Sequence, residues 1–272
     1  MNFKAICTDV DGTLLNAKRE LSETTIDTFK GLPQDVWIIL ASSRMPSAMR
    51  HLQLEMAIEQ HPLICYNGGY VLSSGLTDPI VLNSTVIPVS VCRGIVSLTK
   101  NTDIHVSLYF EEQWYAPAWD QWTERESTIT KVKPQIEDPS TVFANWERDG
   151  CGAHKVMCMG SPEMIKRMED ELNRDYAQHI HVYRSRSTYL ELAPLTVSKA
   201  TGLTLVGEHC GFSVTDVIAF GDNYNDVALL ETAGHGVAVA NSRGEVIRVA
   251  KEVTVDSKED GVARTIRKYF HG

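Results

Sequence analysis

The first 83 residues alternate short apolar runs with amphipathic segments. The apolar runs predict buried strands at Lys4–Thr8, Val36–Ala41 and Leu63–Tyr66. The segments between them place apolar residues on one helical face; one begins after Ser22 and another covers Pro46–Gln60. Strands buried on both faces and separated by helices are typical of a parallel sheet with right-handed crossovers.

The pattern changes in the middle of the chain and then returns. Residues 84–190 predict paired antiparallel strands beside helices, whereas residues 191–272 again alternate buried strands and helices. The simplest assembly joins both ends of the chain into one domain. We therefore predict the α/β class, with a Rossmann-like parallel-sheet core domain (1–83 and 191–272) and an inserted α+β cap domain (84–190).

Composition and charge argue against some classes of binding partner. The 272 residues carry 26 Lys+Arg against 35 Asp+Glu, a net charge of −9, and nucleic-acid binding needs a basic surface instead. The six cysteines form no Cys-x-x-Cys pair, and no apolar run is long enough to span a bilayer. We expect a cytoplasmic protein that contacts neither membrane nor nucleic acid, and both a monomer and a homodimer stay open.

Two carboxylates follow the first predicted strand. Asp9 and Asp11 are two residues apart, so strand alternation turns both side chains to one side, and Gly12 allows a sharp turn after them. Two acids this close repel unless a cation lies between them, and Mg²⁺ prefers such oxygen ligands. The alternative is an ordinary solvated Asp-Gly turn.

Three further groups lie at the ends of predicted elements. Asp222 and Asp226 follow the strand Val217–Phe220, where acids also favour the start of a helix without any ligand. Hydroxyl and guanidinium groups follow Val36–Ala41 in Ser42-Ser43-Arg44, and these groups suit a phosphoryl oxygen. The alternative is a serine that caps the next helix and an arginine on the surface. Lys199 opens a helix, where a lysine is usually solvated.

In this order the four groups resemble the motifs of the haloacid dehalogenase (HAD) superfamily, and more narrowly its Cof-type phosphatases with a C2B cap. Asp9 to Thr13 match Asp-x-Asp-Gly-Thr, and the stretch 221–226 matches Gly-Asp-x-x-Asn-Asp. Tyr66 to Gly69 and the stretch 233–242 are also similar to this family. The family's usual Ala-Thr-Gly-Arg is replaced by Ala41-Ser42-Ser43-Arg44, which leaves open whether Ser42 or Ser43 contacts phosphate.

The resemblance implies a role for each residue. Asp9 would be the nucleophile that forms an aspartyl-phosphate, and Asp11 the general acid and base. Mg²⁺ would be held by Asp9, by the backbone carbonyl of Asp11 and by Asp222. The implied phosphate-binding residues are Ser42, Ser43, Arg44, Lys199 and Asn225, and the implied supporting residues are Gly12, Thr13 and Asp226.

The implied activity is Mg²⁺-dependent hydrolysis of phosphomonoesters. Sugar phosphates and other small phosphorylated metabolites are the expected substrates. A phosphomutase would share the same core and differ in passing the phosphoryl group to a second hydroxyl. A non-catalytic sensor of phosphorylated metabolites is the remaining alternative, although it has no need of an acid two residues from a nucleophile. In the cap, Trp114, Tyr115, Arg184 and Arg186 are candidate substrate contacts.

Overall fold

The computed structural model describes residues 3–76 and 78–270. It divides into two compact units, which we call the core unit (1–83 and 198–272) and the cap unit (84–197). The second boundary lies seven residues after the expected one at 190/191. The reason is a strand at Tyr189–Pro194, which pairs on both sides with strands of the cap unit.

The core unit contains one eight-stranded sheet with the order β16-β15-β14-β1-β2-β3-β4-β5. Strands β16 to β3 of this order are parallel, and β4 is antiparallel to β3. The strands are β1 (Ala5–Thr8), β2 (Trp37–Ala41), β3 (Leu63–Cys65), β4 (Tyr70–Leu72), β5 (Val81–Ser84), β14 (Val217–Gly221), β15 (His235–Ala238) and β16 (Glu252–Val253). Because β1 lies between β14 and β2, the carboxyl ends of all three meet at one edge.

Helices of the core unit connect these strands. They are α1 (Glu23–Lys30), α2 (Ser47–Met56), α7 (Lys199–Cys210), α8 (Val227–Thr232), α9 (Gly244–Val249) and α10 (Gly261–Phe270). The predicted cap of α1 is confirmed, since the Ser22 side chain accepts the Thr25 N–H at 3.0 Å. The second helix is shorter than predicted, because Ala57 adopts a left-handed conformation (φ 59°) and ends it.

The cap unit has a six-stranded sheet, mostly antiparallel, with the order β12-β13-β11-β7-β8-β9, and a small sheet of β6 and β10. Its strands are β6 (Ile87–Pro88), β7 (His105–Phe110), β8 (Gln113–Ala116), β9 (Gln135–Ile136), β10 (Gly152–Ala153), β11 (Lys155–Met159), β12 (Ile180–Arg186) and β13 (Tyr189–Pro194). Its helices are α3 (Val89–Leu98), α4 (Gln121–Thr130), α5 (Pro139–Asp149) and α6 (Pro162–Asp175). The α/β class with an inserted α+β unit is thereby confirmed.

Sequence reasoning missed α5, although its signals are present. Asp138 caps it by accepting the Ser140 N–H at 2.8 Å, Pro139 occupies its first turn, and Gly150 ends it in a left-handed conformation. Only Val142, Phe143 and Trp146 are buried. Among the residues that the structure describes, no helix is long and apolar enough to cross a membrane.

Candidate active site

Strand β1 delivers Asp9 to the carboxyl edge of the core sheet. The strand is fully buried, and the Asp9 N–H donates to the carbonyl of Phe220 at the end of β14 at 3.0 Å. The Asp9 side chain is itself buried, with 5% of the residue exposed. A carboxylate in this position is held by the centre of the sheet and has little freedom to move.

Lys199 lies beside Asp9 with no exposed surface. It begins α7, whose capping residue Ser198 accepts the Thr201 N–H at 3.1 Å. Its ammonium group donates to Asp9 Oδ1 and, at 2.7 Å, to Asp226 Oδ1. Burial alone would lower the pKa of Lys199, but the charges of Asp226 and Asp9 raise it above its usual range. Lys199 is therefore a permanent cation, and the solvated alternative for it is wrong.

Asp226 is fully engaged by its neighbours. While Oδ1 accepts from Lys199, Oδ2 accepts the backbone N–H groups of Asp222 and Asn223, both at 3.0 Å. The residue has no exposed surface. This geometry makes Asp226 a residue that orients Lys199 and the loop 221–226.

Asp222 is held against the loop that follows β1. Thr13 Oγ1 donates to Asp222 Oδ1 at 2.9 Å. Gly12 has φ 87°, and a Cβ at this position would lie 2.6 Å from Asp222 Oδ2. Glycine is thus required at residue 12 both by the backbone conformation and by the approach of the carboxylate. Of the three predicted supporting residues, Thr13 donates to Asp222 and Gly12 leaves the space that the Asp222 carboxylate occupies.

The carboxylates of this cluster need more positive charge than Lys199 supplies. Asp9, Asp222 and Asp226 each place an oxygen within 4.8 Å of the other two. Burial raises the pKa of Asp9 well above its usual value, and Asp226 and Asp222 add to the rise although Lys199 opposes it. Burial and the charge of Asp226 raise the pKa of Asp222 to about 6. Oxygen ligands packed this closely fit a hard divalent cation such as Mg²⁺.

Asp11 lies apart from that cluster and binds Arg44. Arg44 Nε donates to Asp11 Oδ2 at 2.7 Å, and a second guanidinium nitrogen donates to Oδ1 at 2.8 Å. Arg19, which sequence reasoning did not select, approaches Asp11 Oδ1 at 3.4 Å. Burial by itself would raise the pKa of Asp11, but the hydrogen bonds and charge of Arg44 lower it below its usual value. The guanidinium expected at a phosphate is thus paired with the predicted acid.

The loop after β2 carries the two serines. Ser42 is buried (2% exposed), and its Oγ accepts the Arg44 N–H at 3.2 Å, which leaves its hydroxyl proton free to be donated. Ser43 is half-buried. Arg44 is fixed further by a hydrogen bond to the carbonyl of Ala48 in α2 at 3.1 Å.

A strained loop joins this region to Asn225. Tyr66, Asn67 and Gly68 have φ values of 51°, 56° and 98°, and a Cβ on Gly68 would lie 2.2 Å from the Ser198 carbonyl oxygen. For Tyr66 and Asn67, which are not glycines, this conformation is costly and persists only where contacts hold it. The Asn67 N–H donates to the Ser42 carbonyl at 2.9 Å, and Asn67 Oδ1 accepts from Asn225 Nδ2 at 2.9 Å. Asn225, expected at a phosphate, is thus bonded to Asn67, a residue that had no assigned role.

The cap unit contains a different set of hydrogen-bonded side chains, which runs from the partly exposed Asp120 to the buried His105 and Ser107. Asp120 Oδ2 lies 2.7 Å from His105 Nδ1, and His105 Nε2 lies 2.9 Å from Ser107 Oγ. An Asp-His-Ser set is the composition of a hydrolytic triad. However, Ser107 has no exposed surface, and its Oγ accepts the indole N–H of Trp114 at 2.9 Å. These contacts make it a structural network.

All four candidate cap contacts have partners within the cap unit. Tyr115 donates to Gln113 Oε1, and the Arg186 guanidinium lies 5.7 Å from the centre of the Tyr189 ring. Trp114 is buried (2% exposed) and bonded to Ser107. Arg184 pairs with Glu169 at 3.2 Å and donates to the carbonyl of Ser187 at 3.1 Å.

Taken together, the core unit is of the class of α/β enzymes in which a parallel sheet presents buried carboxylates and a lysine at its carboxyl edge, the usual ligand position in open α/β sheets. The sequence model of the haloacid dehalogenase-like hydrolases matches residues 6–266. The chain belongs to this family and is a phosphatase, which confirms the resemblance seen in its motifs.

Curated relatives and a solved structure agree with this assignment. The chain is 27% identical to the 5-amino-6-(5-phospho-D-ribitylamino)uracil phosphatase YitU of Bacillus subtilis, covering 97% of each chain. It is also 27% identical to the pyridoxal phosphate phosphatase YbhA of Escherichia coli, covering 100% of this chain and 99% of the relative. A crystal structure of a haloacid dehalogenase-like hydrolase from Bacteroides thetaiotaomicron superimposes with a TM-score of 0.87 at 27% identity, over 98% of this chain and 100% of that one.

Proposed function

We propose that this protein is a Mg²⁺-dependent phosphomonoester hydrolase that acts on small phosphorylated metabolites through an aspartyl-phosphate on Asp9. One observation carries the proposal: Asp9, Lys199, Asp226 and Asp222 meet at the carboxyl ends of β1 and β14. A buried nucleophile, a permanent cation and clustered oxygen ligands are what transfer of a phosphoryl group requires.

Asp9 is the nucleophile in this proposal. Its carboxylate attacks phosphorus, the bond from phosphorus to the ester oxygen breaks, and the alcohol leaves with a proton from Asp11. A water molecule then attacks the acyl phosphate and gives a proton to Asp11, which releases inorganic phosphate and restores Asp9. Arg44 donates to both Asp11 oxygens and lowers the pKa of Asp11, so Asp11 must give up at least one of these bonds and take up a proton before it can act as the acid.

Lys199 and Ser42 bind phosphoryl oxygens in this proposal. Lys199 is charged and fully buried, and Ser42 keeps a hydroxyl proton to donate. Donors that are fixed before the reaction stabilise the charge of the transition state without having to reorganise. Asp226, bonded to Lys199 at 2.7 Å, keeps the ammonium group aimed at the site.

Asp9, Asp222 and the backbone carbonyl of Asp11 would hold Mg²⁺. The ion supplies charge neutralisation between the anionic nucleophile and the anionic substrate. The raised pKa values of Asp9 and Asp222 support this assignment, because burial and neighbouring carboxylates leave their charges under-compensated. Asp226 also lies within the cluster, but its oxygens already accept three hydrogen bonds.

We propose a class of substrate, namely small phosphomonoesters, with sugar phosphates the first members to be tested. The two curated relatives are named for different phosphorylated molecules, a ribitylamino-uracil phosphate and pyridoxal phosphate. The six free cysteines support action in the reducing cytoplasm.

A screen of phosphorylated metabolites tests the proposal. Phosphate release is measured for sugar phosphates, pyridoxal phosphate, 5-amino-6-(5-phospho-D-ribitylamino)uracil and p-nitrophenyl phosphate, with Mg²⁺ and with EDTA. We expect turnover that needs Mg²⁺ and stops with EDTA. Turnover unchanged by EDTA would contradict the metal requirement, and formation of an isomeric phosphate without phosphate release would identify a mutase.

A further inference from the structure

One short segment of the core unit contacts both loops that carry the acids. This segment, residues 241–243, lies between β15 and α9, and we call it the brace segment. Asn241 Nδ2 donates to the carbonyl of Gly12 at 2.8 Å. Two residues later, the backbone N–H of Arg243 donates to the carbonyl of Asp222 at 2.9 Å. One loop is thus held at Gly12 and the other at Asp222.

The orientation of the Asn241 amide follows from its partners. Asn241 Oδ1 accepts the backbone N–H of Ser257 at 2.9 Å, while Nδ2 donates to Gly12. An amide flipped by 180° would face an N–H with its NH₂ group and a carbonyl with its oxygen, so both bonds would be lost. The side chain therefore links Gly12 to the turn at 257–259 in one geometry.

The position of Gly12 determines where the Asp222 carboxylate rests. A Cβ on Gly12 would lie 2.6 Å from Asp222 Oδ2, so this oxygen occupies the space that a side chain at residue 12 would need. Thr13, the next residue, donates to the other oxygen of Asp222 at 2.9 Å. A shift of the Gly12 peptide therefore moves Asp222 relative to Asp9.

A second hydrogen bond of the brace segment reaches the same loop. Ser242 Oγ donates to the carbonyl of Gly221 at 3.2 Å, next to the Asp222 carbonyl that Arg243 binds. The loop 221–226 is thus held by the Ser242 side chain and the Arg243 backbone, whereas Gly12 is held by the side chain of Asn241. Substitution of Asn241 is therefore the change that removes the contact of the brace segment with Gly12.

We propose that Asn241 is a positioning residue for the divalent cation, setting the separation of the Asp9–Thr13 loop from Asp222. This inference rests on the proposed function. Asn241 contacts neither the cation nor the substrate; it acts through Gly12. Ligands already at the right separation bind the cation without first being ordered, so loss of the link weakens cation binding.

The test titrates MgCl₂ into the substrate-free protein by isothermal titration calorimetry. Loss of one hydrogen bond predicts that Asn241→Ala binds Mg²⁺ about 3- to 10-fold more weakly than wild type. The Mg²⁺ concentration for half-maximal phosphate release should rise by a similar factor, with an unchanged substrate KM at saturating Mg²⁺. A residue with only a structural role would not separate these two constants.

Asp256→Ala is the matched control. Asp256 Oδ1 accepts the Lys258 N–H at 2.9 Å and caps the turn 257–259 that Asn241 also holds, but this bond does not reach Gly12. We expect Asp256→Ala to bind Mg²⁺ as wild type does, because this substitution leaves the bond from Asn241 to Gly12 in place.

The outcomes separate this inference from the proposed function. Wild-type affinity in Asn241→Ala, or an equal loss in both variants, overturns the positioning role while leaving a Mg²⁺-dependent phosphatase in place. Absence of Mg²⁺ binding by the wild-type protein overturns both.

Discussion

The two units of the molecule bury polar groups in opposite ways. In the core unit, Lys199 lies between Asp9 and Asp226, and all three are almost or wholly inaccessible. In the cap unit, His105 lies between Asp120 and Ser107, and Trp114 completes the chain of hydrogen bonds. In the core cluster, the pKa values of Asp9 and Asp222 are raised. In the cap, the Trp114 N–H donates to the Ser107 hydroxyl, so each side chain has a hydrogen-bond partner.

This difference distinguishes the candidate catalytic cluster of the core unit from the structural network of the cap unit. A buried group that is fully hydrogen-bonded stabilises a fold and has nothing left to offer a substrate. A buried carboxylate whose charge is only partly compensated, at an edge where strands end, remains able to bind a cation and attack phosphorus. Residue types alone would have ranked the Asp-His-Ser set of the cap as highly as the acids of the core.

Substitution of the proposed nucleophile has the largest expected effect. We expect Asp9→Asn to release no measurable phosphate from any substrate, because an amide oxygen does not attack phosphorus at a useful rate. The fold should persist, since Asn fits the same space and still accepts from Lys199. Phosphate release and circular dichroism are the measurements. Retained phosphatase activity would remove Asp9 from the role of nucleophile.

The two buried lysines give the next comparison. Lys199→Met should lower kcat about 10²- to 10³-fold, the typical cost of losing one fixed donor to a transition state. Lys155 of the cap is also buried, with its ammonium 4.5 Å from the centre of the Tyr109 ring, and Lys155→Met should leave kcat near the wild-type value. Initial rates at saturating substrate measure both. Equal losses of kcat in the two variants would contradict a specific role of Lys199 in the reaction.

The cap network should affect stability and leave the chemistry unchanged. Ser107→Ala leaves the buried Trp114 N–H without its acceptor, which costs about 1–3 kcal/mol of unfolding free energy. Urea unfolding measures this loss, and phosphate release by the folded variant should match wild type. A large fall in kcat with unchanged stability would show that Ser107 takes part in the reaction.

The smallest predicted effect is a pH dependence of stability in the cap. Burial lowers the pKa of His154 from 6.5 to about 3. The unfolded chain binds this proton more tightly, so the stabilisation from the neutral ring is complete above pH 6.5 and declines as the pH falls toward 3. The loss of unfolding free energy is at most about 1.4 kcal/mol per pH unit.

Urea unfolding at pH 7.5 and 5.5 checks this dependence. His154→Asn should reduce the difference between the two pH values, and His179→Asn, which alters an exposed histidine of the same unit, should keep the wild-type difference. An unchanged difference in His154→Asn would assign the acid sensitivity to other groups.

Much of the core fold was predictable because it depends on local pattern. The fully buried run of β1 and the helix beginning at Lys199 lie where the sequence placed them. Helix α5 was missed because only three of its residues are buried. Helix α2 ends early because Ala57 adopts a left-handed conformation, and no glycine beside it indicates this in the sequence.

The sequence proposes candidate site residues but not their pairings. Asp226 accepts a hydrogen bond from Lys199, and the bonds from Thr13 to Asp222, from Asn225 to Asn67 and from Asn241 to Gly12 join residues 209, 158 and 229 positions apart. Such contacts depend on the tertiary path of the chain, which motifs do not encode. The pairing of Arg44 with Asp11 was missed for the same reason.

The most direct test of the central claim is to trap the covalent intermediate. The protein is mixed with substrate and Mg²⁺, quenched in acid and treated with borohydride, which reduces an aspartyl-phosphate to homoserine. Mass spectrometry of the resulting peptides then locates the modified residue. We expect homoserine at position 9 in wild type and none in Asp9→Asn. Homoserine at another aspartate, or rapid phosphate release with no modified residue at any quench time, would contradict it.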